Sequence, residues 1–126
     1  MNAIAGAYRY RGKAMQTDGT PLYEFEAKVE IVPCDASDAV QVILQTLHKD
    51  SRSVSAPATP RAMPDGSALL LYDYIADPDH AATASHDFFG MVRLRFSADR
   101  RSASGTYLNF NGRYTCGECS LARTDA

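Results

Sequence analysis

The sequence predicts an all-β protein: a small, closed or nearly closed antiparallel up-and-down barrel of about eight strands, lipocalin- or avidin-like. Three observations predict it. Apolar and polar residues alternate with period two through most of the 126 residues. Turn signals rich in Gly, Asp, Asn and Pro separate these runs. The chain is long enough to bury one core without disulfide or metal staples, so one domain over residues 1–126 is expected.

The elements follow in order. Ile4, Gly6, Tyr8 and Tyr10 alternate with Ala5, Ala7, Arg9 and Arg11, a first strand. Asp18, Gly19 and Pro21 form the turn after it. Tyr23, Phe25, Ala27, Val29 and Ile31 then alternate with Glu24, Glu26, Lys28 and Glu30, giving one dry and one wet face; Pro33 ends the run. Val40, Val42, Leu44 and Thr46 share a strand face, although Val40, Ile43, Leu44 and Leu47 also fit a helical stripe. The β-branched content favours the strand.

Ser51, Ser53 and Ser55 alternate with Arg52, Val54 and Ala56 in a fourth run. Residues 55–67, rich in Ala, Pro and Ser, read as a loop. Further strands are expected over 68–75, 90–97, 103–109 and 113–122. Val92, Leu94 and Phe96 form a dry face opposite Arg93 and Arg95. Gly105, Tyr107 and Asn109 share a face, as do Thr115, Gly117, Cys119 and Leu121. Asp65-Gly66, Asp99-Arg100 and Asn111-Gly112 supply turns. A polar loop over 77–87 holds His80, His86 and Asp87.

Composition excludes several function classes. A formal charge of -2 provides no basic field for a DNA or RNA duplex or an anionic bilayer. Three cysteines make no disulfide framework, and a reducing cytoplasm is the expected compartment. No apolar run approaches the ~20 residues that span a bilayer.

No set of side chains reads as a catalytic centre, so no enzyme is expected. Cys116 and Cys119 form a Cys-x-x-Cys in a strand, where positions three apart face opposite ways, so the pair reads as packing. His86-Asp87 lies in a polar loop with no nucleophile in an elbow context, and reads as barrel rim. No metal or cofactor is expected.

The tyrosines carry more information. Tyr8, Tyr10, Tyr23, Tyr72, Tyr74 and Tyr107 all fall in strands, several on inward faces. Buried phenols require hydrogen-bond partners. Two readings stand side by side: the rings fill the barrel, or they line a polar-aromatic pocket that stacks a base. Ser53, Asn109 and Thr115 offer hydrogen bonds to such a ligand, and Arg113 offers a guanidinium for phosphate.

The segments LYDYIADP, FGMVRLRF, SGTYLNFNGR and TCGECSLAR resemble the barrel of the SMODS-associating two-transmembrane β-strand-rich effectors of CBASS anti-phage defence. The matching positions are Ser53 and Ser55; Leu71, Tyr72, Tyr74 and Pro78; Gly90; Gly105 and Tyr107; Gly112 and Arg113; Thr115 and Gly117; Leu121 and Arg123. The resemblance implies a barrel that senses a cyclic dinucleotide made by a nucleotidyltransferase. Binding promotes oligomerisation, and attached membrane helices then disrupt the inner membrane. The family's membrane helices have no counterpart in this sequence. The chain as written is expected in the cytoplasm, and at the inner membrane if such helices belong to the natural protein.

The expected function is therefore non-catalytic cyclic dinucleotide sensing. Ser53, Tyr72, Tyr74, Tyr107, Asn109, Arg113 and Thr115 are the expected ligand-binding residues. Two alternatives remain at this point: a lipocalin-like carrier of a small apolar ligand, and a ligand-free assembly module.

Overall fold

A computed structural model describes residues 3–35, 37–47, 51–77, 89–110 and 114–125. Those residues form nine antiparallel strands and no helix. The strands are β1 (Gly6–Met15), β2 (Pro21–Pro33), β3 (Val40–Thr46), β4 (Arg52–Ser55), β5 (Arg61–Ala62), β6 (Ala68–Ala76), β7 (Phe89–Phe96), β8 (Ser102–Phe110) and β9 (Tyr114–Arg123). Their order in the sheet is β4-β3-β2-β1-β9-β8-β7-β6-β5, and a further β4–β6 pairing closes the ring. Eight strands make the barrel, and β5 is an addition to its seam.

That addition falls in the expected 55–67 loop. Strand β4 has four residues, too few to bridge all of β3 to β6. Pro57 and Pro60 stop it from continuing, because proline has no N–H to give the ladder. The rest of the seam is covered in two pieces: β5 pairs with the start of β6, and Val40 and Ala58 exchange backbone hydrogen bonds of 2.8 and 2.9 Å. The fork at residues 39–47 resolves as a strand, with Val40 and Val42 buried. Strand β1 continues past Arg11 to Met15, paired to β2 and β9 along its length.

The alternation puts one residue in two inside, and the inward set divides along the barrel. At one end Ile4, Tyr8, Ile31, Val40, Leu70, Leu94, Phe96 and Leu121 pack as an apolar plug. The Tyr8 ring meets Phe96 edge-on at 5.8 Å, and its hydroxyl donates to the Ile4 carbonyl at 2.6 Å. Arg123 caps this end: it donates to the carbonyls of Ala3, Ala5 and Arg100, pairs with Asp125 at 2.9 Å and lies over the Tyr8 ring. Arg123 therefore ties the two ends of the described chain together; the opposite end of the barrel, called the mouth below, carries the buried hydroxyls of Ser53 and Thr115. Among the described residues no helix is long and apolar enough to cross a membrane.

Candidate functional site

The mouth lies at the C-terminal end of β6 and β8 and the N-terminal end of β7 and β9. Pairing aligns the inward positions there: Tyr72 faces Val92, Tyr74 faces Gly90, Asn109 faces Gly90 and Thr115, and Tyr107 faces Val92 and Gly117. Ser53 pairs with Ala76 across the seam. Six of the seven expected binding residues, Ser53, Tyr72, Tyr74, Tyr107, Asn109 and Thr115, thus come to one end of one barrel. Arg113 lies outside the described residues, as do His80, His86, Asp87 and the Asn111-Gly112 turn.

Two rings fit because glycines face them. A Cβ on Gly117 would stand 2.5 Å from the Tyr107 ring and would also strike the Lys13 carbonyl. A Cβ on Gly90 would strike the Tyr74 hydroxyl and stand 2.5 Å from the Leu108 carbonyl. The strand alternation shows these positions as inward-facing, but only the folded register shows which ring each glycine seats.

The polar atoms of the mouth form two groups. Thr115 Oγ1 donates to Asn109 Oδ1, and Asn109 shares a side-chain hydrogen bond with Tyr74. This chain links β9, β8 and β6. Deeper, the Tyr10 hydroxyl bonds the buried Cys119 sulfur. The Tyr107 hydroxyl is buried and has no hydrogen-bond partner among the described residues. An unmet buried hydroxyl costs about 1–3 kcal/mol, so it marks a place where a ligand or water gains by donating or accepting.

Sequence reasoning missed part of the lining. Phe25 enters from β2 and contacts Tyr10 at 5.6 Å and Tyr107 at 6.4 Å, so the aromatic wall spans β1, β2 and β8. Tyr23, half exposed, stands 6.0 Å from Phe25 at the rim. Their shared strand face was legible; their meeting with Tyr107 across the barrel was not, because it depends on closure. Conversely, Tyr8 belongs to the plug and not to the mouth. Ser55 accepts a hydrogen bond from the Val42 N–H at 2.8 Å and serves the β3–β4 seam.

Electrostatically the lining is neutral: every inward residue described at the mouth is aromatic, amide, hydroxyl, thiol or aliphatic. Arg52, on the rim, is paired with Asp77 at 2.9 Å. Burial pushes the hydroxyls of Tyr10, Tyr72, Tyr74 and Tyr107 above the usual phenol range, so they stay protonated donors. The sign follows directly. The neutral form is the one the fold favours, so its contribution is complete below the ordinary phenol pKa of about 10 and is lost as pH rises above it. Denaturant unfolding should show stability constant near neutrality, then falling above about pH 10 by up to about 1.4 kcal/mol per pH unit for each buried phenol. A flat profile to higher pH would contradict the burial.

Cys116 and Cys119 point to opposite sides of β9, as expected of a strand. Cys119 is buried inside, while Cys116 lies outside and donates to the Gln16 carbonyl at 3.6 Å. An open groove of about 540 Å³ lies away from the mouth on the outer face of β8, β9, β1 and β2. Arg11, Lys13, Glu24 and Glu118 line it with both signs of charge, so it has no field selective for an anion. The mouth, with convergent donors and rings, is the better candidate.

No curated protein matches the chain. The family model described as Cap15, cyclic dinucleotide receptor domain, matches residues 2–123, which include every strand and the whole mouth. The chain therefore belongs to the family of Cap15 cyclic dinucleotide receptor domains, the CBASS effectors that its Tyr72, Tyr74, Gly105, Tyr107 and Thr115 motifs resemble.

Proposed function

We propose that this barrel is a non-catalytic cyclic dinucleotide sensor whose ligand enters the tyrosine-lined mouth, and that binding promotes oligomerisation. Family membership supports cyclic dinucleotide sensing. The observation that carries the choice of site is the buried Tyr107 hydroxyl, without a hydrogen-bond partner among the described residues and set among rings at the end of the barrel opposite the apolar plug.

The chemistry divides the ligand. A base presents a flat face and edge donors and acceptors, which the wall of Tyr10, Phe25 and Tyr107 and the Tyr74–Asn109–Thr115 chain complement. A phosphodiester carries full charge, and burying it in this neutral lining would cost several kcal/mol. The bases therefore go inward and the phosphates stay at the wet rim. Arg113, in the β8–β9 connection, is the proposed phosphate partner, with Ser53 and Tyr72 completing the wall. Protonated phenols serve as donors and not as bases or nucleophiles, which fits binding without turnover.

Calorimetry against a panel of cyclic di- and trinucleotides tests the reading. One or more cyclic dinucleotides should bind and be recovered intact after long incubation. Absence of heat across the panel at millimolar ligand would end the proposal, and recovery of linear product would end its non-catalytic part.

A further inference from the structure

Three glycines on the inner wall each face a ring on the next strand. Pairing sets Gly12 beside Phe25, Gly90 beside Tyr74 and Gly117 beside Tyr107. A Cβ at any of the three would strike the far end of that ring. Each ring therefore lies across the wall and turns a face to the lumen.

Sheet order spaces these walls evenly. Strands β9 and β8 separate the β1–β2 wall from the β6–β7 wall on one side, and β3 and β4 separate them on the other. Phe25 and Tyr74 thus stand half a turn apart, with Tyr107, on the β8–β9 wall, a quarter turn from each. The β3–β4 wall completes the circle with Ser53. The rings are also level. The row of pairs through Tyr74 reaches β1 just past Met15 by way of Gly90, Asn109 and Thr115, but at Gly6 by way of Ser55, Val42 and Ile31. That stagger of about ten residues tilts the strands by about 40°. The tilt brings Tyr107, two residues behind Asn109, and Phe25, leaning back onto Gly12, to the height of Tyr74. Rings flat on walls a quarter turn apart stand nearly perpendicular. Phe25 and Tyr107 do so, at 79° with centroids 6.4 Å apart.

Width then decides what fits. A chord of 6.4 Å across a quarter turn sets rings half a turn apart about 9 Å from each other. One flat group stacked between two rings needs about 7–8 Å, and two stacked groups need about 11 Å. We infer that this tier takes in a single base, between Phe25 and Tyr74 with an edge towards Tyr107, and that the barrel distinguishes cyclic dinucleotides by that one base. The inference rests on the proposed ligand site. Tyr10, 5.6 Å from Phe25 and buried, closes the tier below. The second base stays nearer the rim, beside the half-exposed Tyr23, where water competes for its edge groups and its identity counts for little.

Calorimetry with the six 3′,3′-cyclic dinucleotides that adenine, guanine and uracil form is the test. One base should govern the series. Its homodimer and both mixed dinucleotides that contain it should bind within about 3-fold of one another, the homodimer ahead because it offers that base twice. The three dinucleotides without it should bind at least about 30-fold more weakly. Phe25→Leu should weaken the three good binders by one common factor of about 5 or more, as loss of a stacking face does. Unchanged affinity in that variant would remove the base from the tier. The parent series decides by itself should the variant prove unstable. A mixed dinucleotide that binds about 10-fold tighter than both of its homodimers, or a homodimer that binds alone, would show that two bases are read. Either result would overturn the inference and leave the ligand site standing, as would equal binding of all six. No heat from any of the six would end the ligand site and the inference together.

Discussion

Gly117→Ala is expected to destabilise the barrel by about 3 kcal/mol, at the upper end of overpacking costs, and to abolish nucleotide binding. The added methyl group meets two things that cannot both yield. One is the Lys13 carbonyl of β1, held by the β1–β9 ladder in which Ala14 pairs with Gly117. The other is the Tyr107 ring, 2.5 Å away and packed against Phe25. Moving the strand costs ladder hydrogen bonds, while moving the ring pushes it into the mouth, where the base would sit. Thermal unfolding should show a fall of roughly 10 °C for a chain of this size. Ser104→Ala, on an exposed position of β8, is the matched control and should melt with the parent. A Gly117→Ala protein that also melts with the parent would mean that β9 shifts freely, and the seating of Tyr107 would lose its basis.

Tyr107→Phe is expected to split stability from binding. The hydroxyl is buried without a partner, so deleting it removes an unmet desolvation cost and should leave the melting temperature unchanged or raise it. If a base meets that hydroxyl, the nucleotide Kd should weaken about 10-fold or more, equivalent to about 1.4 kcal/mol. Asn109→Ala should behave differently. It breaks the links to both Thr115 and Tyr74, so stability and affinity should fall together. Calorimetry and melting on the two variants separate a ligand contact from a structural one. Equal affinity of Tyr107→Phe and the parent would place the ligand elsewhere.

Much of the barrel was legible because period-two alternation is a local property. The dry faces read from β7 and β9 are buried throughout, as is that of β2 from Ala27 to Ile31, while Tyr23 at the start of the β2 face is exposed. The placement of Cys116 and Cys119 on opposite sides followed from the same rule. Legibility ended where a feature depended on which strands meet. The short β4 needs β5 and the Val40–Ala58 bridge to complete its seam, and nothing local to residues 55–67 announces that. Phe25 was legible as inward but not as a neighbour of Tyr107.

The sequence by itself determined an antiparallel β-barrel, the inward identity of several of its tyrosines, and, through its motifs, the family. Only the tertiary structure decided how those tyrosines divide. Tyr8 went to the apolar plug under Arg123, while Tyr72, Tyr74 and Tyr107 went towards the opposite end beside Asn109 and Thr115. The physical reason is that alternation sets which side of the sheet a side chain takes, whereas its height along the barrel and its neighbours across the lumen come from register and closure. Those in turn arise from pairings between residues far apart in the chain.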